Sequence, residues 1–217
     1  FIMGHDNEDY DAIGSAIGMA KLSLSLNKET YIVLSGRNDN VNRISEMLAR
    51  ESIKVNDHEE DYNSIMVEEA EALKHITPNS LLVLVDHHRE ILTASKSVLE
   101  AIPKRIIVDH HRRSEDLLAD TVLLYLEPSS SSTSELLTEL VGYFNDRLEF
   151  TPVEATALYS GIVLDTKNFA VQTGERTFEA AALLRRNGAD SNMVRLMFKD
   201  DMDVLKLRAR LLADAKV

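Results

Sequence analysis

The sequence predicts an α/β fold with a mainly parallel sheet flanked by helices. Three observations lead there. Four short apolar runs, at 1–3, 31–34, 81–85 and 106–108, have the length and the Ile and Val content of buried strands. Segments of helical period lie between the first three of them. Helix signals then dominate the second half, so strands and helices alternate early and helices accumulate late.

In chain order, residues 11–27 carry Ile13, Ile17, Ala20 and Leu24 at helical spacing. Gly14 and Gly18 on that helix would let it approach the sheet closely. Residues 42–50 and 64–76 are the next helices, with the acidic run Asp57-His58-Glu59-Glu60-Asp61 between them read as a solvated loop. Ser132-Thr133-Ser134-Glu135 fits a capping box and opens a helix with Leu137, Leu140, Val141 and Phe144 on one face. Thr151-Pro152-Val153-Glu154 is a second box, with proline at the first helical position. A helix over 177–186 stops at Asn187-Gly188, and a last one covers 201–216. The linker starts within 188–192, which divides the chain into a domain of residues 1–190 and a connecting segment of residues 191–217.

A chain of 217 residues holds one large domain, or one domain and the start of another. Its 24 basic and 36 acidic residues leave a net charge of −12, which argues against broad nucleic-acid binding. A nucleotide ligand stays compatible, because bound divalent cations invert the local field. Cysteine is absent, so disulfides and thiolate metal sites are excluded and a cytoplasmic setting is allowed. No apolar run reaches the ~20 residues that span a membrane, and no membrane contact by this chain is expected. The abrupt apolar start at Phe1-Ile2-Met3 reads as a cut through a longer protein.

The chemistry gathers at strand ends, where parallel sheets place their ligands. His5-Asp6-Asn7-Glu8-Asp9-Tyr10-Asp11 follows the first strand, and the string Val-Asp-His-His-Arg follows twice, at 85–89 and 108–112. Imidazoles and carboxylates together suit manganese, iron, zinc or cobalt. Any one string alone is equally well a solvated loop or a helix cap; three at strand ends point to one site. Asp165 shares a helix face with Leu158, Gly161 and Ile162, which puts a carboxylate on an inward apolar face. A cation, an arginine or a helix-end hydrogen bond would satisfy it. Two strings offer phosphate binding: the hydroxyl-rich turn Ser129–Thr133 at a helix N-terminus, and Arg112 and Arg113. The alternative is that the serines merely cap and the arginines are solvated, which taken alone is the preferred reading for Arg113.

These residues bring out a resemblance to the DHH phosphoesterase superfamily. It rests on four ordered motifs: GHDNEDYDAIGSA (4–16), VDHHR (85–89), VDHHRR (108–113) and GIVLDTKNF (161–169). The strings EPSSSSTSELLTEL (127–140) and DTKNFAVQTGERTFEAAALLRRNGAD (165–190), with the doubled arginine, look most like the GdpP-type cyclic-di-AMP phosphodiesterases.

The resemblance implies two manganese ions. His5 and Asp9 would bind the first, Asp11, His110 and Asp165 the second, and Asp86 both. A carboxylate suits the bridge, since an imidazole nitrogen has one lone pair to give. His111 would lie near the reacting phosphate and Asp109 would orient a neighbouring histidine. Arg112, Arg113, Ser131, Ser132 and Thr133 would contact substrate, and His87 has no assigned role. The implied reaction is hydrolysis of cyclic di-AMP to linear pApA through a hydroxide bridging the metals. The alternatives are an oligoribonuclease or phosphatase of the same superfamily acting on linear dinucleotides or nucleoside bisphosphates, and a non-catalytic nucleotide-binding module. The family's glycine-rich second domain is missing from the sequence, so residues 191–217 are expected to lead toward it. By the same resemblance the parent protein would be anchored in a bacterial membrane, with this region cytoplasmic, and would be a possible homodimer.

Overall fold

The computed structural model describes residues 1–55, 58–118, 121–144, 148–199 and 210–211, the side chains of 54–60 excepted. Its centre is a six-stranded sheet built from β1 (Ile2–Met3), β2 (Ile32–Leu34), β5 (Met66–Glu68), β6 (Leu82–Val85), β7 (Arg105–Asp109) and β8 (Thr121–Leu126). The spatial order is β5-β2-β1-β6-β7-β8, and every pairing is parallel. Both faces are covered, as an all-parallel sheet requires. Alternate strand residues serve opposite cores: Ile2, Val83, Val85 and Val108 join one apolar cluster, while Met3, Leu82, Leu84 and Ile107 join the other. The first face packs under α1 (Tyr10–Ser25), α6 (Thr133–Phe144) and α7 (Pro152–Asp165), and the second under α4 (Glu69–His75) and α5 (Lys96–Ala101).

Strand order positions the site. The chain runs outward from β1 to β2 and β5, then returns to lay β6 on the other side of β1. The strand order therefore reverses between β1 and β6, and a crevice opens beyond their carboxyl ends. His5 follows β1 and Asp86 follows β6, so both stand at that crevice.

Several sequence expectations are corrected. Residues 64–76 are not one helix: α3 (Tyr62–Ile65), β5 and α4 share them with the preceding residues. Met66 and Val67 pair with Ile32 and Val33 at the sheet edge, and a three-residue strand is too short to display a period. Gly14 and Gly18 bring α1 against helices rather than the sheet. A Cβ on Gly14 would lie 2.6 Å from the Ala157 carbonyl oxygen, and one on Gly18 3.0 Å from Leu158 and 3.1 Å from Leu137. The acidic run read as a loop contributes β4 (His58–Asp61), which pairs antiparallel with β3 (Ser52–Val55); Asp57 lies outside the described residues. β8 and α5 were not among the predicted elements. β8 is an edge strand whose Val122 and Leu123 face outward, so its apolar run does not mark a buried strand, and α5 is a short helix that leans on Val98 and Leu99 entering the second core.

Other expectations hold within about three residues: α1, α2 (Asp39–Leu48), α7 and α8 (Glu175–Arg186) occupy predicted helices. Thr151 and Glu154 form the reciprocal capping box. Residues 191–197 form α9 (Ser191–Met197), which packs Val194 and Met197 into the first core and takes the Tyr10 hydroxyl on the Met197 carbonyl at 3.0 Å. Apart from Arg210 and Leu211, the predicted helix over 201–216 lies outside the described residues.

Candidate metal centre

Each acidic or imidazole group reaches the crevice for a local reason. Asp9 caps α1, its Oδ1 accepting the backbone N–H groups of Asp11 and Ala12 at 2.9 and 3.0 Å. That start to the helix turns Asp11 inward, fully buried. Asp86 follows β6 in the left-handed backbone region, at φ 63°, a conformation that costs free energy outside glycine and recurs where function needs a side chain aimed. Its N–H is tied to the Val108 carbonyl at 3.0 Å. His110 and His111 follow β7 directly, and Asp165 closes α7.

The carboxylate of Asp86 is split between two sides. Oδ2 lies 3.6 Å from His5 Nε2, which is also 3.7 Å from Asp9 Oδ1. Oδ1 lies 3.5 Å from His110 Nε2 and accepts the Thr133 hydroxyl at 3.1 Å. His110 Nε2 also faces Asp165 Oδ2 at 3.0 Å and Asp11 Oδ2 at 3.9 Å. It is buried, yet none of these contacts has hydrogen-bond geometry. Three sets of potential ligand atoms result, each within 4.8 Å: His5, Asp9 and Asp86; Asp11, His110 and Asp165; Asp86, His110 and His111. Divalent cations fit this arrangement. The donors are nitrogen and oxygen, one imidazole nitrogen is buried with no partner, and four carboxylates crowd a volume otherwise poor in positive charge.

The electrostatics report the same crowding. Burial first, then the charges of Asp86 and Asp165, push Asp11 well above the usual carboxylate range. Burial also raises Asp86, against the opposing pull of His5. The neighbouring carboxylates of Asp86 and then Asp9 lift His5 to about 11. For His110, burial acts downward, but Asp165, Asp11 and Asp86 together outweigh it and raise it to about 10. Without metal, protons therefore stand in for cations. Unfolded histidine titrates at 6.5, so stability from His5 and His110 is fully present below that pH and lost as pH rises through their folded values. The melting temperature of the metal-free chain is expected to fall as pH is raised from about 7 to about 10, by roughly 2–4 °C per kcal/mol lost. Saturating divalent cation displaces those protons and should remove the fall. A flat or rising midpoint in EDTA, followed by differential scanning fluorimetry, would contradict this arrangement.

All six sequence-predicted metal ligands, His5, Asp9, Asp11, Asp86, His110 and Asp165, are thus brought together. The predicted substrate-binding residues divide. Arg112 and Arg113 are exposed beside His111 and make no ion pair among the described residues. Ser131, Ser132 and Thr133 are buried, and the expected anion site there is corrected. The N–H groups of Thr133 and Ser134 each donate to Asp11 at 2.8 Å, so the chain's own carboxylate fills the start of α6. Ser132 Oγ caps Glu135 N at 3.0 Å, while the Glu135 carboxylate holds Ser131 through N–H and hydroxyl at 3.2 and 2.5 Å. Sequence reasoning missed Gly161, where a Cβ would lie 2.6 Å from Asp11 Oδ1. It also left His88 without a task, although its position matches that of His111 in the second copy of the string.

The class defined by fold and site is a parallel α/β domain with histidines and carboxylates converging at its topological switch. The chain belongs to the DHH family, matching its N-terminal domain over residues 1–162. It is 38% identical over 217 residues to the cyclic-di-AMP phosphodiesterase PdeA of Listeria monocytogenes serotype 1/2a (strain 10403S), covering 100% of this chain and 32% of that protein. It is 39% identical over 211 residues to the cyclic-di-AMP phosphodiesterase GdpP of Bacillus subtilis (strain 168), covering 97% of this chain and 31% of that protein. The chain therefore spans about one third of the length of these curated relatives. The fold matches an exopolyphosphatase-related protein from Bacteroides fragilis with a TM-score of 0.75 and 23% identity, over 100% of this chain and 61% of that one. No helix among the described residues is long and apolar enough to cross a membrane.

Proposed function

We propose that this chain is the metal-bearing domain of a longer phosphodiesterase that hydrolyses cyclic di-AMP to linear pApA with two divalent cations, manganese in the first instance. The observation that carries the reading is the divided carboxylate of Asp86, with one oxygen toward His5 and the other toward His110. That geometry lets one side chain serve two ions, with His5 and Asp9 completing one site and Asp11, His110 and Asp165 the other. Relatives of 38% and 39% identity named as cyclic-di-AMP phosphodiesterases support the substrate class.

When bound, the cations neutralise phosphate charge and lower the pKa of water. The chain's own groups do the rest. Asp11 is fixed by two backbone N–H groups and Asp86 by the Thr133 hydroxyl, so the carboxylates do not reorganise during reaction. His111 stands at the open side with its side chain 56% exposed, placed to meet a phosphate oxygen. Arg112 and Arg113 follow it and supply bidentate contacts to the phosphates. Residues beyond 190 connect this domain to a second one that grips the far end of the dinucleotide, within a membrane-anchored parent whose catalytic region is cytoplasmic.

The test is turnover by the full-length protein with manganese, comparing cyclic di-AMP, pApA and a short RNA by chromatography, with metal stoichiometry from calorimetry. Two ions per chain and pApA released from the cyclic substrate are expected. Preferential cleavage of pApA or RNA would favour the linear-dinucleotide alternative. Tight binding of cyclic di-AMP with no cleavage would overturn the enzymatic reading.

A further inference from the structure

The two copies of Val-Asp-His-His-Arg lie side by side: β6 and β7 are adjacent and parallel, with Val85 paired to Val108. The copies are cross-linked. His88, the second histidine of the first copy, reaches Asp109, the aspartate of the second, with Nδ1 2.5 Å from Oδ2. Asp109 is buried, and its other oxygen accepts the backbone N–H of His111 at 3.1 Å and lies 2.8 Å from His111 Nδ1. On the far side of His88, Nε2 receives the Ser114 backbone N–H at 3.1 Å, with the Ser114 hydroxyl at 2.8 Å. An amide nitrogen can only donate, so His88 Nε2 holds a lone pair and the ring proton sits on Nδ1, aimed at Asp109. The order Ser114, His88, Asp109, His111 is therefore fixed by chemistry.

This chain of bonds decides what His111 can do. Its Nδ1 is 3.8 Å from Asp86 Oδ1, a second acceptor that competes with Asp109. With Oδ2 of Asp109 engaged by His88, the carboxylate cannot turn, and Oδ1 keeps the Nδ1 edge of His111. The opposite ring nitrogen is then left for the open side of the crevice. Orientation of a reactive imidazole by a buried carboxylate on its far nitrogen is a recurrent device.

We propose that His88, seated by Ser114, is a positioning residue for His111, locking Asp109 so that His111 stays off the bridging carboxylate Asp86 and faces substrate. This rests on the phosphodiesterase reading. The closing experiment uses two buried polar variants. In His88→Asn the side-chain amide N–H can take the place of Nδ1–H, whereas in His88→Gln it falls nearer the Nε2 position. In the chain loaded with magnesium, the hydrogen-bonded Nδ1 proton of His111 should give a downfield resonance in wild type and His88→Asn and lose it in His88→Gln. In the full-length protein with manganese, His88→Gln should lower kcat about 10–100-fold, leave KM and manganese affinity unchanged, and be rescued by His88→Asn. An unaltered His111 resonance in His88→Gln overturns the proposal, as does unchanged kcat. Loss of manganese affinity in step with kcat overturns it too, because His88 would then support the metal site itself. If wild type does not cleave cyclic di-AMP, the functional reading fails, and the resonance alone still decides the role of His88.

Discussion

Asp86→Ala is expected to abolish turnover, lowering kcat by on the order of 10⁴-fold or more, the scale seen when a residue acting as part of a unit is removed. Among the described residues, Asp86 is the carboxylate shared by the set that holds His5 and Asp9 and a set that holds His110. His5 and His110 lie 3.6 and 3.5 Å from its two oxygens, and the Thr133 hydroxyl donates to one of them. Alanine removes both acceptors and retains the unfavourable φ of 63°, now with no ligand to hold it. Calorimetry should show weakened binding of both cations, not of one. Asp86→Asn separates charge from shape: asparagine tolerates the left-handed region but presents one oxygen, so the variant should fold normally and still fail catalytically. Near-normal turnover from Asp86→Ala would sink the bridging assignment.

Gly161→Ala should be the most damaging change that removes no titratable group. The added Cβ would lie 2.3 Å from Ser134 Oγ, 2.6 Å from Asp11 Oδ1 and 2.9 Å from Asp11 Cα. The serine hydroxyl can rotate, but the backbone of α1 cannot give way without parting from α7. Asp11 would then lose its two N–H donors on α6 and leave the set it forms with His110 and Asp165. Metal stoichiometry should drop from two toward one, with the His5 side retained, and stability should fall by ~1–3 kcal/mol from overpacking. Gly142→Ala is the matched control. It is exposed on the outer side of α6 with nothing within 4 Å of its Cβ position, so alanine should be neutral or stabilise by about 0.5–1 kcal/mol. Two ions bound to Gly161→Ala with wild-type affinity would show that close packing of α1 on α7 is not what aims Asp11.

Particular residues show what could be read in advance. The strings at His5, Asp86 and His110 were legible because strand, turn and ligand are neighbours in sequence, and a buried apolar run followed by imidazole and carboxylate marks a strand end. Asp165 was legible through the three-and-four rule on one helix. The hydroxyl-rich turn before α6 was misjudged for a physical reason. A helix N-terminus attracts an anion whatever its source, and here Asp11, more than a hundred residues away, supplies it. The edge strand β5 was missed because three residues carry no period, and their strand character comes from pairing with β2.

The sequence by itself determined which imidazoles and carboxylates are candidates for the chemistry, and that they belong to strand ends and one helix end, because these choices are made by local pattern. Only the tertiary structure decided that β6 returns beside β1, so that His5 and Asp86 face one another. It also decided that β6 and β7 align their two copies of one string so that His88 grips Asp109, and that α1 and α7 touch closely enough for Gly161 to make room for Asp11. Those outcomes depend on strand order, register and interhelical distance. They are set by the summed burial of many apolar side chains, which no short stretch of the chain encodes.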